Sequence, residues 1–381
     1  MPWNTMDVRE QRVRFVVAAS REEKPFCQLC LEFGISRPTG YAWLGRYQQS
    51  GIEGIQERSR RPQSIPRQTA GELERLVVQY RLRYPDWGAR KLRVLLSRAG
   101  VALTRSTIHR ILLRYDLVRE EDRCTEAPRR FERERPNQLW QMDFKGPKGW
   151  PGSVGPLSVI DDHNRYLVVL QGLGSTLRAP VQEQLEQAFR EGGVPEAMLM
   201  DHGVPWWSAR SPSGFTRLRI WLMKQGIALY WSGIRHPQTQ GKVERFHGEL
   251  QRALERRGLP HDWPAWLEKF RWEHNHVRPH EALGMRTPAQ LWQPSPRPFD
   301  PKPPDWQYPR AAKVLKVDGQ GKVDAWGQRW LIGQALRGER IGIQRLGDRA
   351  HVYYCATLIR ELDFVNQRSI LVNRWLTDDV P

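Results

Sequence analysis

Asp143, Asp201 and Glu244 offer the most chemistry in this chain because of where each one stands. Asp143 lies in Trp140-Gln141-Met142-Asp143-Phe144, and Asp201 in Leu199-Met200-Asp201-His202-Gly203. Glu244 lies in Gly241-Lys242-Val243-Glu244-Arg245-Phe246-His247. The first two follow apolar runs that read as buried strands, and the third opens an amphipathic helix. Hard divalent cations take oxygen ligands, which favours carboxylates over Cys or His. Two such cations at one site can carry out in-line displacement at a phosphodiester. Taken singly, each acid reads as a structural carboxylate; the joint context reverses that. Asp143 is the best placed to be shared between two ions. Asp161 and Asp162 are the rival ligands, but Asp161-Asp162-His163-Asn164 reads as a turn between short strands at 157–160 and 166–170.

The remaining residues point to the substrate. Among 381 residues, 60 are Lys or Arg and 42 are Asp or Glu, a net charge of +18. An excess of that size favours a polyanionic partner, usually nucleic acid. A basic surface kept for solubility is the plainer reading, and the arginines inside the candidate DNA-reading helices argue against it. An acidic cluster facing DNA would repel phosphates unless metal neutralised it. No apolar run approaches membrane-spanning length, so a membrane partner is not expected. Residues 1–7 carry no apolar signal core, and cytoplasm is the expected compartment. Cys27 and Cys30 form a CxxC with no second Cys or His pair at ligand spacing. Phe26, Leu29, Cys30 and Phe33 follow one helical stripe, so Cys30 reads as a packed core thiol.

Two elements ahead of the acids would grip DNA. Residues 7–49 read as three short helices, with Ser36 capping the third and Tyr41, Leu44 and Tyr47 facing inward. Arg37, Thr39 and Trp43 are left near its exposed start. That is a helix-turn-helix pattern, whose second helix enters the major groove by its N-terminal residues. Arg58, Arg60 and Arg61 downstream read as a basic arm on phosphates or in the minor groove. Residues 70–118 repeat the pattern: Gly100 ends one helix, Thr104 caps the next, and Arg105, Ser106, Thr107 and Arg110 lie at its start. Two readers in tandem can grip a longer site than one. From residue 137 onward, strands interleave with helices as in a mixed α/β core. A proline-rich stiff linker follows, and then short β runs that suggest a small barrel or sandwich.

The boundaries are therefore 1–62 for the first reader and its arm, 63–128 for the second, 129–292 for the core with a helical extension, 293–310 for the linker and 311–381 for the β domain. Within the core, Lys242 and Arg245 read as phosphate contacts, or as solvated helix charges. His247 lies on roughly the same helical face as Glu244; it could approach a scissile phosphate or be an ordinary helix histidine. Trp206 and Trp207 could stack on unpaired DNA ends, although packing against the core is the commoner fate. Arg278 and His280 read as structural or DNA-contacting rather than catalytic.

The ordered set Trp140-Gln141-Met142-Asp143, Met200-Asp201-His202-Gly203 and Pro237-Gln238-Thr239-Gln240-Gly241-Lys242-Val243-Glu244-Arg245 resembles the catalytic core of DDE transposases, the integrase type. Asn275-His276-Val277-Arg278-Pro279-His280-Glu281-Ala282-Leu283-Gly284 resembles the segment after that core in bacterial insertion-sequence transposases. The resemblance covers nearly the whole chain. It implies a ribonuclease H-like core, with Asp143, Asp201 and Glu244 as first, second and third catalytic, metal-binding carboxylates. It also implies two Mg²⁺ ions per active site, with Mn²⁺ as a substitute. The expected substrate is double-stranded DNA, as element ends and as target, with cleavage of the ends and transfer to the target. Synapsis of two ends implies at least a homodimer on DNA, associated with the bacterial nucleoid. A regulator that kept the scaffold without catalysis, and a nuclease that cuts without joining, are the alternatives. Three departures from the pattern bear on loop geometry and end specificity: His202 where Asn is usual, Gln240 where Asn is common, and a long interval between Asp201 and Glu244.

Overall fold

The computed structural model describes residues 7–56, 69–118, 132–152, 154–208, 214–232 and 240–372. The chain divides into two compact units, Met1–Ala70 and Gly71–Pro381. Among the described residues no helix is long and apolar enough to cross a membrane.

The first unit holds α1 (Val8–Ser20), α2 (Phe26–Glu32), α3 (Arg37–Ser50) and a 3-10 turn at Gly51–Ile55. Gly34, at φ +64°, supplies the left-handed residue that ends α2. Ser36 then caps α3, its hydroxyl accepting from the Thr39 amide at 3.4 Å. The expected inward face of α3 is corrected in part: Tyr47 packs against the core as expected, but Tyr41 does not. Tyr41 is exposed and stacks on Phe26 at 4.2 Å, while Trp43 packs half-buried against the core of Phe15, Val16, Leu29 and Cys30. The cause is Gly40: a Cβ there would stand 2.9 Å from both Cys30 Sγ and Phe15 Cζ. A residue without a side chain lets the helices approach closely, so the inward face cannot be found by counting large apolar residues. Cys30 is buried in this core and Cys27 is exposed.

The second unit opens with α4 (Gly71–Arg83), α5 (Ala89–Arg98) and α6 (Arg105–Arg114), packed around Val77, Trp87, Leu92, Leu96, Ile108 and Ile111. Thr104 caps α6 through the Thr107 amide at 3.1 Å. The core sheet comprises β1 (Trp140–Phe144), β2 (Leu157–Asp161), β3 (Leu167–Gln171), β4 (Ala197–Met200) and β5 (Ala228–Trp231), in the order β3-β2-β1-β4-β5. The first three pair antiparallel; β4 and β5 run parallel to β1. Helices cover both faces. On one, α7 (Arg178–Gly192) and α8 (Arg217–Lys224) pack on Trp140, Met142, Leu157 and Val159. On the other, α9 (Gly241–Arg257) and α10 (Trp263–His276) pack on Ile160, Leu167 and Leu170. Burial from both sides is why β3 and β4 read as apolar runs rather than as alternating strands, whereas β1 alternates Trp140, Met142 and Phe144 with Gln141 and Asp143.

Two expectations about the C-terminal part change. The proline-rich stretch is not free-standing: Arg297 donates to the Pro195 and Gln225 carbonyls at 2.6 and 2.7 Å, and Phe299 packs against Phe189 and Trp221. The barrel is not formed among the described residues. The strands β6 (Lys313–Lys316), β9 (Arg340–Leu346), β10 (Arg349–Tyr354), β11 (Thr357–Asp363) and β12 (Arg368–Leu371) make an open antiparallel sheet, ordered β12-β11-β10-β9-β6. The hairpin of β7 (Lys322–Ala325) and β8 (Gln328–Leu331) stands apart from that ladder. Its Val323 and Trp330 share an apolar cluster with Ile341 and Val352, so side chains close this core where hydrogen bonds do not.

Candidate active site

The parallel pairing of β1 with β4 sets Gln141 opposite Leu199. Asp143 lies two residues further along β1 and Asp201 just past the end of β4, near enough for the charge of Asp201 to act on Asp143. Asp143 also lies directly across β2 from Ser158. α9 packs on this sheet, and its first turn presents Glu244 to solvent. Gln141 ties the start of α9 to β1: its side-chain oxygen accepts from the Val243 amide at 3.3 Å. Strand register and one side-chain bridge therefore bring the three expected carboxylates together.

Their fields overlap. Burial, then the negative charges of Asp201 and Glu244, push the Asp143 carboxyl up to about 7, against a backbone hydrogen bond at Phe144 that lowers it. Asp201 is held firmly, its Oδ1 accepting from the Gly203 amide at 2.8 Å and the Trp206 indole Nε1 at 2.7 Å. Trp206 is itself fixed by stacking on Phe144, at 5.6 Å and 11°. Glu244 has no hydrogen-bond or ion-pair partner among the described residues. His247 Nδ1 is 3.8 Å from Asp143 Oδ2, and its Nε2 is 3.1 Å from the Ser158 hydroxyl. Burial and then Lys145 push His247 down to about 4, so it is neutral near pH 7 and does not offset the charge of Asp143. Lys145 is turned aside, donating to the Lys148 carbonyl at 2.8 Å.

A hard divalent cation fits this donor set chemically. All three groups are carboxylates, and their mutual repulsion is what such an ion relieves. Among the described residues no three such groups stand close enough to enclose an ion as they are. The acids converge without forming a closed coordination shell.

The rival acids are structural. Asp161 is fully buried and accepts from the amides of Asn137, His163 and Asn164 at 2.7, 3.0 and 3.1 Å, the turn expected of it. Asp162 accepts from the Arg133 amide and the Gln141 side chain, both at 2.8 Å, and pairs with Lys242 at 2.5 Å. Lys242 therefore serves Asp162 inside the core, whereas Arg245 is exposed. Residues 242 and 244 lie about 200° apart on a helix, so Lys242 and Glu244 cannot face one surface.

In the readers, Arg37 and Thr39 are exposed on α3, although the Thr39 hydroxyl is bonded to Ser36 at 2.8 Å. Arg105, Ser106 and Arg110 are exposed on α6, and the Thr107 hydroxyl is bonded to Thr104 at 2.9 Å. Trp43 is held between Arg12 and Arg46, with guanidinium carbons 4.3 and 4.7 Å from its ring. Arg58, Arg60 and Arg61 lie outside the described residues. The sequence reading missed the role of Trp206 as a partner of Asp201. Its place five residues beyond an acid, in a loop, is a weak signal by itself.

Known proteins match along most of this length. Residues 133–237 and 225–288 match models of the integrase core domain. Residues 11–63 match a helix-turn-helix domain, and residues 39–112 a homeodomain-like domain. The insertion element IS407 uncharacterized 31.7 kDa protein of Burkholderia multivorans is 26% identical over 54% of this chain and 75% of its own length. The "Putative transposase for insertion sequence element IS986/IS6110" of Mycobacterium tuberculosis is 23% identical over 58% of this chain and 87% of its own. Among solved structures, the HTLV-2 integrase catalytic core domain in complex with magnesium aligns at TM-score 0.32 and 18% identity, over 42% of this chain and 99% of that one. An integrase core implies the use of a divalent metal. The integrase-core and helix-turn-helix matches, together with the insertion-element relatives, identify the chain as an insertion-sequence DDE transposase, a polynucleotidyl transferase with an integrase-like core.

Proposed function

We propose that the protein binds the terminal inverted repeats of a mobile element, cleaves the DNA ends and joins them to target DNA, using Asp143, Asp201 and Glu244. The observation that carries this reading is the convergence of three acids in an enclosed place: burial, and then the charges of Asp201 and Glu244, push Asp143 up to about 7. Asp143 stands between the other two as the shared ligand. Asp201, with Oδ1 engaged by Trp206 and Gly203, keeps Oδ2 as a donor. Glu244 approaches from α9. Two Mg²⁺ ions, or Mn²⁺, would polarise the scissile phosphate and lower the cost of its developing charge. The neighbouring Lys145 and Lys242 are engaged elsewhere and leave the acids uncompensated.

Exposed Arg37 on α3, and Arg105, Ser106 and Arg110 on α6, are the side chains best placed to reach DNA, with Arg245 near the acids. Thr39 and Thr107 support the helix starts. Joining two ends calls for at least a dimer on DNA, which would place the active protein on the nucleoid.

The test uses the DNA flanking the gene as labelled duplexes with a target plasmid. Mg²⁺ is compared with EDTA, and the wild type with Asp143→Asn and Glu244→Gln. Metal-dependent cleavage and joined products, lost in both variants while end binding persists, are the expected result. Cleavage without joining would make the protein a nuclease. End binding without metal-dependent products would make it a regulator.

A further inference from the structure

The second reader is fastened to the helix that carries Glu244. Between α4 and α5 the chain turns at Asp86, whose side chain is only 2% exposed. Three arginines from the core converge on this turn. Arg257 donates to Asp86 Oδ1 through Nε and Nη2 at 3.1 and 2.7 Å. Arg278 donates to Asp86 Oδ2 at 3.0 Å. Arg256 donates to the Pro85 carbonyl at 3.0 Å. Burial raises the Asp86 carboxyl, but Arg278 and Arg257 outweigh it and hold the group below the usual carboxylate range. It is a charged, hydrogen-bonded contact.

Both sides of this contact are rigid. Towards the reader, Arg81 donates to the Trp87 carbonyl at 2.6 Å and the Leu117 carbonyl at 2.8 Å, joining the Asp86 turn to the end of α6. Towards the core, Arg256 and Arg257 lie in the last turn of α9 and Glu244 in its first. About 20 Å of continuous helix separates them, and Gln141 pins the far end to β1 beside Asp143.

We propose that Asp86 is a positioning residue: it locks the second helix-turn-helix to α9 and so sets the distance along DNA between the sequence read by α6 and the phosphate that is cut. Arg90 with Glu281 at 2.8 Å, Arg98 on the Val277 carbonyl at 3.2 Å and Val277 against the reader's apolar core also join the two parts. Asp86 is the carboxylate of the reader that Arg257 and Arg278 hold. Arg257 and Arg278 each have a second partner within the core: Arg257 pairs with Glu273 at 2.7 Å and Arg278 with Glu249 at 3.2 Å. Replacing Asp86 therefore strands neither charge.

The cutting half of this inference rests on the proposed function; the locking half does not, and the experiment reads them separately. Spin labels go on the full-length protein at Leu113→Cys on α6 and Arg252→Cys on α9, both exposed. Cys27 and Cys124 are replaced by Ser. The wild-type background should give one narrow distance distribution, and Asp86→Ala a clearly broader one with the circular dichroism of both retained. An equally narrow distribution in Asp86→Ala overturns the lock, whatever the catalytic result. On labelled DNA ends, Asp86→Ala should spread cleavage from one nucleotide over several, with end affinity within about threefold of wild type. A broadened distance with cleavage still at one nucleotide keeps the lock and overturns its role in spacing. Asp86→Asn retains the hydrogen-bond acceptor and should fall between the two.

Discussion

Two acidic clusters, Asp161 with Asp162 at the end of β2, and Asp143 on β1 with Asp201 past β4 and Glu244 on α9, are treated in opposite ways. Asp161 and Asp162 are fully buried and accept from four backbone amides, the Gln141 side chain and Lys242. Among the described residues Asp143 and Glu244 are given no cation, and Asp201 receives an amide and an indole but no positive charge. Burial alone does not separate the clusters, since Asp143 is also largely enclosed, at 21% exposure. The difference is compensation. The chain satisfies the acids that hold the turn together, and leaves in mutual repulsion the acids proposed to hold metal.

The sharpest way to break that comparison is to neutralise one member of each cluster. Asp143→Asn and Glu244→Gln should each lower end cleavage by about 10³-fold or more, with folding intact, because they remove metal ligands. Asp162→Ala should do the reverse. It leaves Lys242 buried without its carboxylate and frees the Arg133 amide, at a cost of about 3 kcal/mol in denaturant unfolding. Activity per folded molecule should change far less. If Asp162→Ala stayed fully stable while losing cleavage, the assignment of the two clusters would be reversed.

A second prediction is smaller and runs against intuition. With a folded-state carboxyl near 7 and an unfolded one near the ordinary value, Asp143 is protonated in the fold where it is already ionised in the unfolded chain. Such a group costs nothing below the unfolded value. Its penalty grows as pH rises between the two and is complete above 7. In metal-free buffer, Asp143→Asn should therefore be more stable than wild type at pH 8, by on the order of 2 kcal/mol after discounting for partial exposure. The two should converge by pH 4. Thermal melts with EDTA across this range check the sign. A variant less stable at pH 8 would mean that the cluster is compensated after all.

The strands, the helix of Glu244 and both capped reading helices were legible because their signals are local: apolar runs buried on two faces, an amphipathic helix, and Ser36 and Thr104 as caps. What was not legible depended on partners distant in sequence. Trp43 faces the core because Gly40 admits Cys30 and Phe15. The stretch around Arg297 lies on the core because carbonyls of Pro195 and Gln225 await its guanidinium. The role of Arg278, read only as structural or DNA-contacting, is set by Asp86, 192 residues away in sequence. No window of sequence contains such pairings.

The finest distinction concerns Asp201, the most restrained of the three acids. Trp206 supplies one of its two hydrogen bonds and also packs on Phe144. Trp206→Phe separates those roles, keeping the stacked ring while removing the Nε1 donor. Asp201 then keeps only the Gly203 amide and gains freedom to turn, as metal ligands do when a supporting hydrogen bond is lost. End cleavage should fall about tenfold, roughly 1.4 kcal/mol in activation free energy. Part of that loss should be recovered by raising Mg²⁺, because a loosely held ligand weakens metal affinity before it changes the chemistry. Cleavage equal to wild type at limiting Mg²⁺ would show that the indole serves packing alone. Asp201 would then join Asp143 and Glu244 as an acid that the fold places but does not orient.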